Sequence, residues 1–241
     1  DYADFIKDND GTGTANVTAA PTPPGGQVNG AQVFNRTDTE INVLADNSFD
    51  WQSDESFSIE FWTKIDSGAP TTGNQVIIGR TDGQLQWWVG IHDGDGLIAF
   101  LLRDTTGAGA GPAPGGADLE GVISATDPKN PSDGAWHHVV AVRDDSTNTN
   151  SIYVDGFLQG SSTFDYGAGF DSATAALNIG HLGTGAYFEG LLDEVALYDQ
   201  ALDLDEIQAH YAAGLAGNGV QSLRPPPEAN AGGNQDVTEG A

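Results

Sequence analysis

Short apolar runs alternate with polar positions along this chain and are broken every few residues by Gly, Pro, Asp or Asn. A period of two dominates and the helical period is almost missing, which predicts an all-β chain with many turns. Strands are expected at 31–34, 40–44, 57–65, 75–80, 85–92, 97–103, 136–143, 151–154, 176–179 and 188–198. Within 57–65, Phe57, Ile59, Phe61 and Ile65 share one face, while Ser58, Glu60, Trp62 and Lys64 share the other. The first set reads as core. Within 85–92, Leu85, Trp87, Val89 and Ile91 form the core strip, so Trp88 faces away from it with Gln86, Gly90 and His92. A long Gly/Ala/Pro-rich stretch separates Thr105 from Asp133, and loops of that length are usually functional or mobile. One helix is signalled near the C-terminus. Asp203 and Glu206 make a capping-box pair, Leu204, Ile207, His210 and Tyr211 recur at helical spacing, and Gly214 stands where a C′ glycine would.

Composition narrows the function classes. The chain has 241 residues, with 8 Lys plus Arg against 35 Asp plus Glu, a formal charge of −27. That length fits one large domain or two small ones, and a hydrophobic content of 38% is enough for a packed core. The charge excludes the phosphate-neutralising surface that nucleic acids require and disfavours anionic lipid. No apolar run approaches membrane-spanning length, so no membrane insertion is expected. Cys is absent, which removes disulfides, thiolate nucleophiles and cysteine metal sites together. A start without Met or a signal peptide reads as a mature or excised fragment.

Four ordered stretches carry a family resemblance. They are Gly30 to Val43, Phe57 to Asp66, Asp133-Gly-Ala-Trp-His-His-Val-Val-Ala-Val142 with Ile152-Tyr-Val-Asp-Gly156, and Leu177-Asn-Ile-Gly180 with Phe188-Glu-Gly-Leu-Leu-Asp-Glu-Val-Ala-Leu-Tyr198 running into Ile207. Together they resemble the laminin-G-like, concanavalin-type jelly-roll domains of bacterial surface proteins. The resemblance implies a two-sheet antiparallel jelly-roll sandwich with a short C-terminal helix, over 1–220. After Pro225-Pro226-Pro227, the run from Ala229 to Gly240 is similar to the opening of PKD-type and related bacterial Ig-like repeats. It implies a Pro-rich linker and the start of a following repeat over 221–241, so that neighbouring repeat modules of the same chain are partners.

Catalysis has little support. Polysaccharide-cleaving relatives of this fold use closely spaced carboxylates on one strand face, and no Glu-x-Asp-x-x-Glu pattern occurs here. Asp193 and Glu194 are adjacent, so in a regular strand they point apart. His137 and His138 likewise cannot chelate one ion from the same face. The expectation is a protein that is not an enzyme. Calcium is the better metal, because it takes hard oxygens from Asp, Asn and carbonyls on loops. Asp93-Gly94-Asp95-Gly96 reads as a hairpin turn in preference to a metal loop. By resemblance, a structural Ca2+, with a further ligand-bridging role open to it, would lie between an N-terminal loop carrying Asp4, Asn9 and Asp10 and the segment carrying Asp193. Ile6 departs from the glycine usual in that loop, and Asp38 is a weaker ligand.

Sugar binding needs flat apolar faces and a few planar polar partners. Trp62, Trp88, His92 and Arg103 all fall on non-core faces and are expected to line one aromatic-polar groove, with Tyr153, Tyr187 and the 183–187 turn at its rim. Capping of one or both tryptophans by the 105–133 loop is the competing expectation. The resulting picture is a secreted or cell-surface, lectin-like binding module, with a glycan or cell-surface ligand as partner. The alternatives are a protein- or peptide-binding adhesion module, a structural spacer, or an accessory domain of a polysaccharide-degrading enzyme.

Overall fold

The computed structural model describes residues 11–13, 25–28, 30–68, 72–93, 96–112, 118–119 and 131–220. The expected linker and repeat start at 221–241 lie outside these, as do Asp4, Asn9 and Asp10. Fourteen strands and one α-helix are formed among the described residues. In chain order they are β1 (Gly11–Gly13), β2 (Gln32–Asn35), β3 (Ile41–Val43), β4 (Phe57–Lys64), β5 (Gln75–Thr81), β6 (Gln86–Ile91) and β7 (Ile98–Arg103). There follow β8 (Gly109–Pro112), β9 (Asp118–Leu119), β10 (Trp136–Asp144), β11 (Thr149–Val154), β12 (Phe157–Thr163), β13 (Leu177–Ile179), β14 (Glu189–Tyr198) and α1 (Leu204–Leu215). One sheet has eight strands in the order β1-β3-β13-β5-β6-β7-β8-β9, the other six in the order β12-β11-β10-β4-β14-β2. All pairings are antiparallel, so the molecule is the all-β chain that the alternation predicts, in the two-sheet sandwich that the resemblance implies.

The expected faces hold. Phe57, Ile59, Phe61, Trp87, Val89 and Ile91 all lie in the main core between the sheets. Trp51 stacks on Phe57 with ring centroids 4.0 Å apart. The end of this core is closed by Arg80, which is fully buried. Its guanidinium donates to the carbonyls of Ala175 and Phe49 at 2.8 Å and of Ser172 at 2.6 Å, and pairs with Asp50 at 2.7 Å. A charge this deep is tolerated because its donors meet oxygens on several sides.

The outer face of the six-stranded sheet is covered too. Val140, Val142, Leu202 and Ile207 form a second apolar layer beneath α1. The capping box at Asp203 and Glu206 forms as expected, with both bonds at 2.9 Å. The C-terminus differs from expectation. Gly214 lies inside the helix, which ends at Leu215, and the left-handed position falls on Gly217, φ +73°. Gly214 is needed for closeness: a Cβ there would stand 2.3 Å from Cζ2 of Trp62.

Candidate functional site

The four residues expected to form one groove do not come together. Trp62 sits on the six-stranded sheet, 2% exposed, with its ring 5.1 Å from His138 and 5.7 Å from Tyr211. It faces away from the core as predicted, but α1 occupies that face. Trp88 sits on the eight-stranded sheet, also 2% exposed, packed with Val76, Ala99 and Leu101 under Leu182 and Ala186. Among the described residues its cover is the 180–187 segment, and most of the 105–133 stretch lies outside them. His92 and Arg103 are half-buried at opposite ends of the β6–β7 hairpin, since Arg103 pairs with Gln86 while the His92 N–H donates to the Leu97 carbonyl. The strand parity was right for Trp62, Trp88 and Arg103, while His92 falls just past the end of β6; parity alone could not say what covers each face or where along the hairpin each residue falls.

Helix α1 and strand β4 instead enclose a polar network. Glu60 is 1% exposed. Its carboxylate lies 2.6 Å from His138 Nε2 and 2.9 Å from His210 Nδ1, and it accepts from the Tyr198 hydroxyl at 2.6 Å. Burial alone would raise its pKa, but the hydrogen bonds and charges of His138 and His210 hold it down to about 2. The network pins the helix to the sheet and leaves no opening for a ligand.

A different cluster forms on the outer face of the eight-stranded sheet. Strands β3 and β13 each carry an Asn between two apolar residues, and their register sets Asn42 directly opposite Asn178. Asn178 Nδ2 donates to Asn42 Oδ1 at 2.7 Å, and Asn178 Oδ1 accepts from the Gly183 N–H at 3.1 Å. The tight 182–185 turn, with Gly183 at φ +58° and Ala186 at φ +51°, folds His181 and Tyr187 over the pair. Their rings stack with centroids 5.8 Å apart and planes at 18°. Glu40 completes the cluster, with its carboxylate 3.4 Å from the Tyr187 hydroxyl and 3.7 Å from His181 Nδ1. Both His181 nitrogens face oxygens, those of Gly183 at 3.0 Å and Asn42 at 3.1 Å. Burial, opposed by the Glu40 charge, pushes the His181 pKa down. The half-buried Tyr187 ring is thus braced from one side beside a carboxylate and two amides. Of this group the sequence reading had only Tyr187. The signal for the rest was present in Ile41-Asn42-Val43 and Leu177-Asn178-Ile179, two polar residues standing on the non-core faces of adjacent strands.

Asp193 lies on β14, 8% exposed. Its Oδ2 accepts from the Val28 N–H at 2.8 Å and its Oδ1 from the Glu194 N–H at 2.9 Å. Gly26 has no room for a side chain, because a Cβ would stand 2.6 Å from that Oδ2. Glu194 is left-handed, φ +50°, at a break in strand register. Burial raises the pKa of both carboxyls, and the charge of Asp193 adds to the rise at Glu194. Among the described residues no group of three or more His, Asp or Glu is arranged to hold a metal ion.

The family model described as Laminin_G_3, the concanavalin A-like lectin/glucanases superfamily, matches residues 35–208. Among solved structures, the binding domain of Paraclostridial Mosquitocidal Protein 1 superposes with a TM-score of 0.64 at 16% identity, covering 85% of this chain and 47% of that one. Domain 4 of AbnA, a GH43 extracellular arabinanase from Geobacillus stearothermophilus, solved in complex with arabinotriose, gives 0.61 at 19% identity, covering 87% and 92%. The binding domain of botulinum neurotoxin DC, in complex with rat synaptotagmin II, gives 0.57 at 15% identity, covering 85% and 46%. The chain thus spans about half the length of the two toxin domains and nearly all of the arabinanase domain. At these identities the likeness is one of fold. No curated protein sequence matches the chain.

Proposed function

The chain belongs to the concanavalin A-like lectin/glucanase superfamily, and on that premise we propose that it is a non-catalytic extracellular binding module that recognises a glycan. The supporting observation is the braced Tyr187 ring beside Glu40, Asn42 and Asn178. An aromatic ring held by a second ring loses little freedom when a sugar face stacks on it. The half-buried Glu40 carboxylate and the Tyr187 hydroxyl supply an acceptor and a donor for sugar hydroxyls, while the Asn42–Asn178 pair holds the turn that carries the ring. Recognition of a glycan by the arabinanase domain on the same fold supports this reading. Placement outside the cell follows from the likeness to an extracellular arabinanase and to toxin binding domains. A parent adhesin with further repeats after 221 is part of the same proposal.

Calcium belongs to it as well. Asp193 would hold Ca2+ with Asp4, Asn9 and Asp10, and the ion would neutralise the confined Asp193 and Glu194 and fix the N-terminal segment against β14.

A second reading, capture of a protein, rests on the synaptotagmin complex of a toxin domain of the same fold. The test is a glycan array run with millimolar calcium and again with chelator, using the wild type and Tyr187→Ala. Saturable binding that falls at least tenfold in Tyr187→Ala supports the proposal. Binding unchanged in that variant moves recognition elsewhere on the surface. No binding in either condition overturns the glycan reading and sends the protein to a peptide screen.

A further inference from the structure

The outer face of the six-stranded sheet extends beyond the reach of α1. One row of residues there runs across four strands: Trp136 on β10 pairs with Lys64 on β4, Lys64 with Leu191 on β14, and Leu191 with Val33 on β2. Lys64 is two residues from Trp62 and therefore shares its face. All four members of the row are half-buried, unlike Trp62 and His138 beside them. Four of the five tryptophans, Trp51, Trp62, Trp87 and Trp88, are at most 3% exposed; Trp136 is the one that keeps surface. An open cleft of about 560 Å³ lies over Val33, Lys64 and Leu191, with Asp66, Ser67 and Glu189 on its walls, and Trp136 stands next to it across Lys64, outside its lining. That volume is within the range of small-molecule sites.

We propose that this row is a second glycan subsite, on the sheet opposite the Tyr187 cluster, taking a neutral oligosaccharide. The proposal rests on the glycan reading above and extends it to two sites per domain. The exposed part of the Trp136 indole supplies the stacking face for one sugar ring. Directly opposed residues on neighbouring strands place their Cβ atoms about 4.5–5.5 Å apart, so the next ring of the chain lies over the Lys64 stem and Leu191. Lys64, the one lysine among the described residues, donates to hydroxyls, and the exposed Asp66 and Glu189 carboxylates accept from them. Two acids against one cation disfavour a ligand that carries its own carboxylates or sulfates. The sites lie on outward faces of opposite sheets, so one sugar chain cannot sit flat on both, and the domain would bridge two chains or two branches.

The experiment is isothermal titration of the whole chain with neutral trisaccharides, arabinotriose and cellotriose among them, alongside tryptophan fluorescence. The variants are Trp136→Ala, Glu189→Arg, Tyr187→Ala and the Trp136→Ala/Tyr187→Ala pair. Glu189→Arg fills the cleft from an exposed position and leaves the core untouched, so it serves if Trp136→Ala fails to fold. The proposal expects two equivalents bound by the wild type, one by Trp136→Ala or Glu189→Arg, one by Tyr187→Ala and none by the pair. The bound sugar at the Trp136 site should shift the fluorescence in wild type and in Tyr187→Ala, and not in Trp136→Ala. One equivalent, lost in Tyr187→Ala and kept at full affinity in Trp136→Ala and Glu189→Arg, overturns the second site while the glycan reading stands. No binding of any trisaccharide by the wild type overturns both.

Discussion

Gly214 of α1 lies directly against the indole of Trp62, with room for hydrogen and nothing larger. The helix, the tryptophan and the sheet beneath are therefore one packed unit. Gly214→Ala should lower stability by about 1–3 kcal/mol, the usual cost of overpacking, despite the better helix propensity of Ala. Thermal melting followed by circular dichroism measures this. A melting temperature at or above that of the wild type would mean that α1 does not sit where the structure places it.

Glu60 makes the same unit sensitive to acid. Its pKa in the folded protein is held down to about 2, from the ordinary glutamate value of 4.5, so the folded state binds fewer protons through that window. The contribution of Glu60 is present above pH 4.5 and is lost as pH falls toward 2. Melting temperature should drop steeply between those values. Glu60→Gln should be less stable at neutral pH, by up to about 3–5 kcal/mol because it strips the partner from His138 and His210. Its further loss on acidification should be smaller than that of the wild type. Parallel pH profiles for the two proteins would show the Glu60 network to be unimportant.

Trp88 is a structural residue despite its place outside the main core. Trp88→Ala should cost about 3–5 kcal/mol, as for a large buried side chain, because Leu182 and Ala186 cannot close over the gap. Retained stability with lost sugar binding would instead make Trp88 a ligand contact. Equilibrium urea unfolding separates the two outcomes.

Calcium should raise the melting temperature by mass action on the folded state, by about 2.7 kcal/mol at a hundredfold excess over Kd. Asp193→Ala should abolish the difference between calcium and chelator. An identical melt in both conditions for the wild type would end the calcium assignment.

The two-sheet sandwich came from the family resemblance, while the alternation along the chain was enough to read an all-β protein, because each core strand repeats its apolar residues every second position. It carried the inward strips of β4 and β6 and the capping box of α1. It failed where local chemistry does not settle the outcome. Strand β12, Phe-Leu-Gln-Gly-Ser-Ser-Thr, has no apolar alternation and is held by pairing with β11 across an irregular register. Trp62 and Trp88 were assigned the correct face, yet burial came from α1 and from the 180–187 segment, contacts distant in sequence. The Tyr187 cluster was missed because its polar residues belong to β3 and β13, which meet only after the sheet has formed. The N-terminal acids proposed for calcium lie outside the described residues, so that part of the reading stands as a proposal.

Strand β14 is the last strand among the described residues, yet it lies between β4 and β2, and β13 likewise joins β3 to β5. Strand β2 therefore has no neighbour in place, and the β1–β3 pair has no link to the rest of its sheet, until the late strands β14 and β13 have been made. Such non-local pairing makes folding slow. The runs β5–β6–β7 and β10–β11–β12 can pair as they are made, but neither sheet is complete until β13 and β14 are free. Insertion of these two late strands between earlier ones is therefore the step that closes the sandwich.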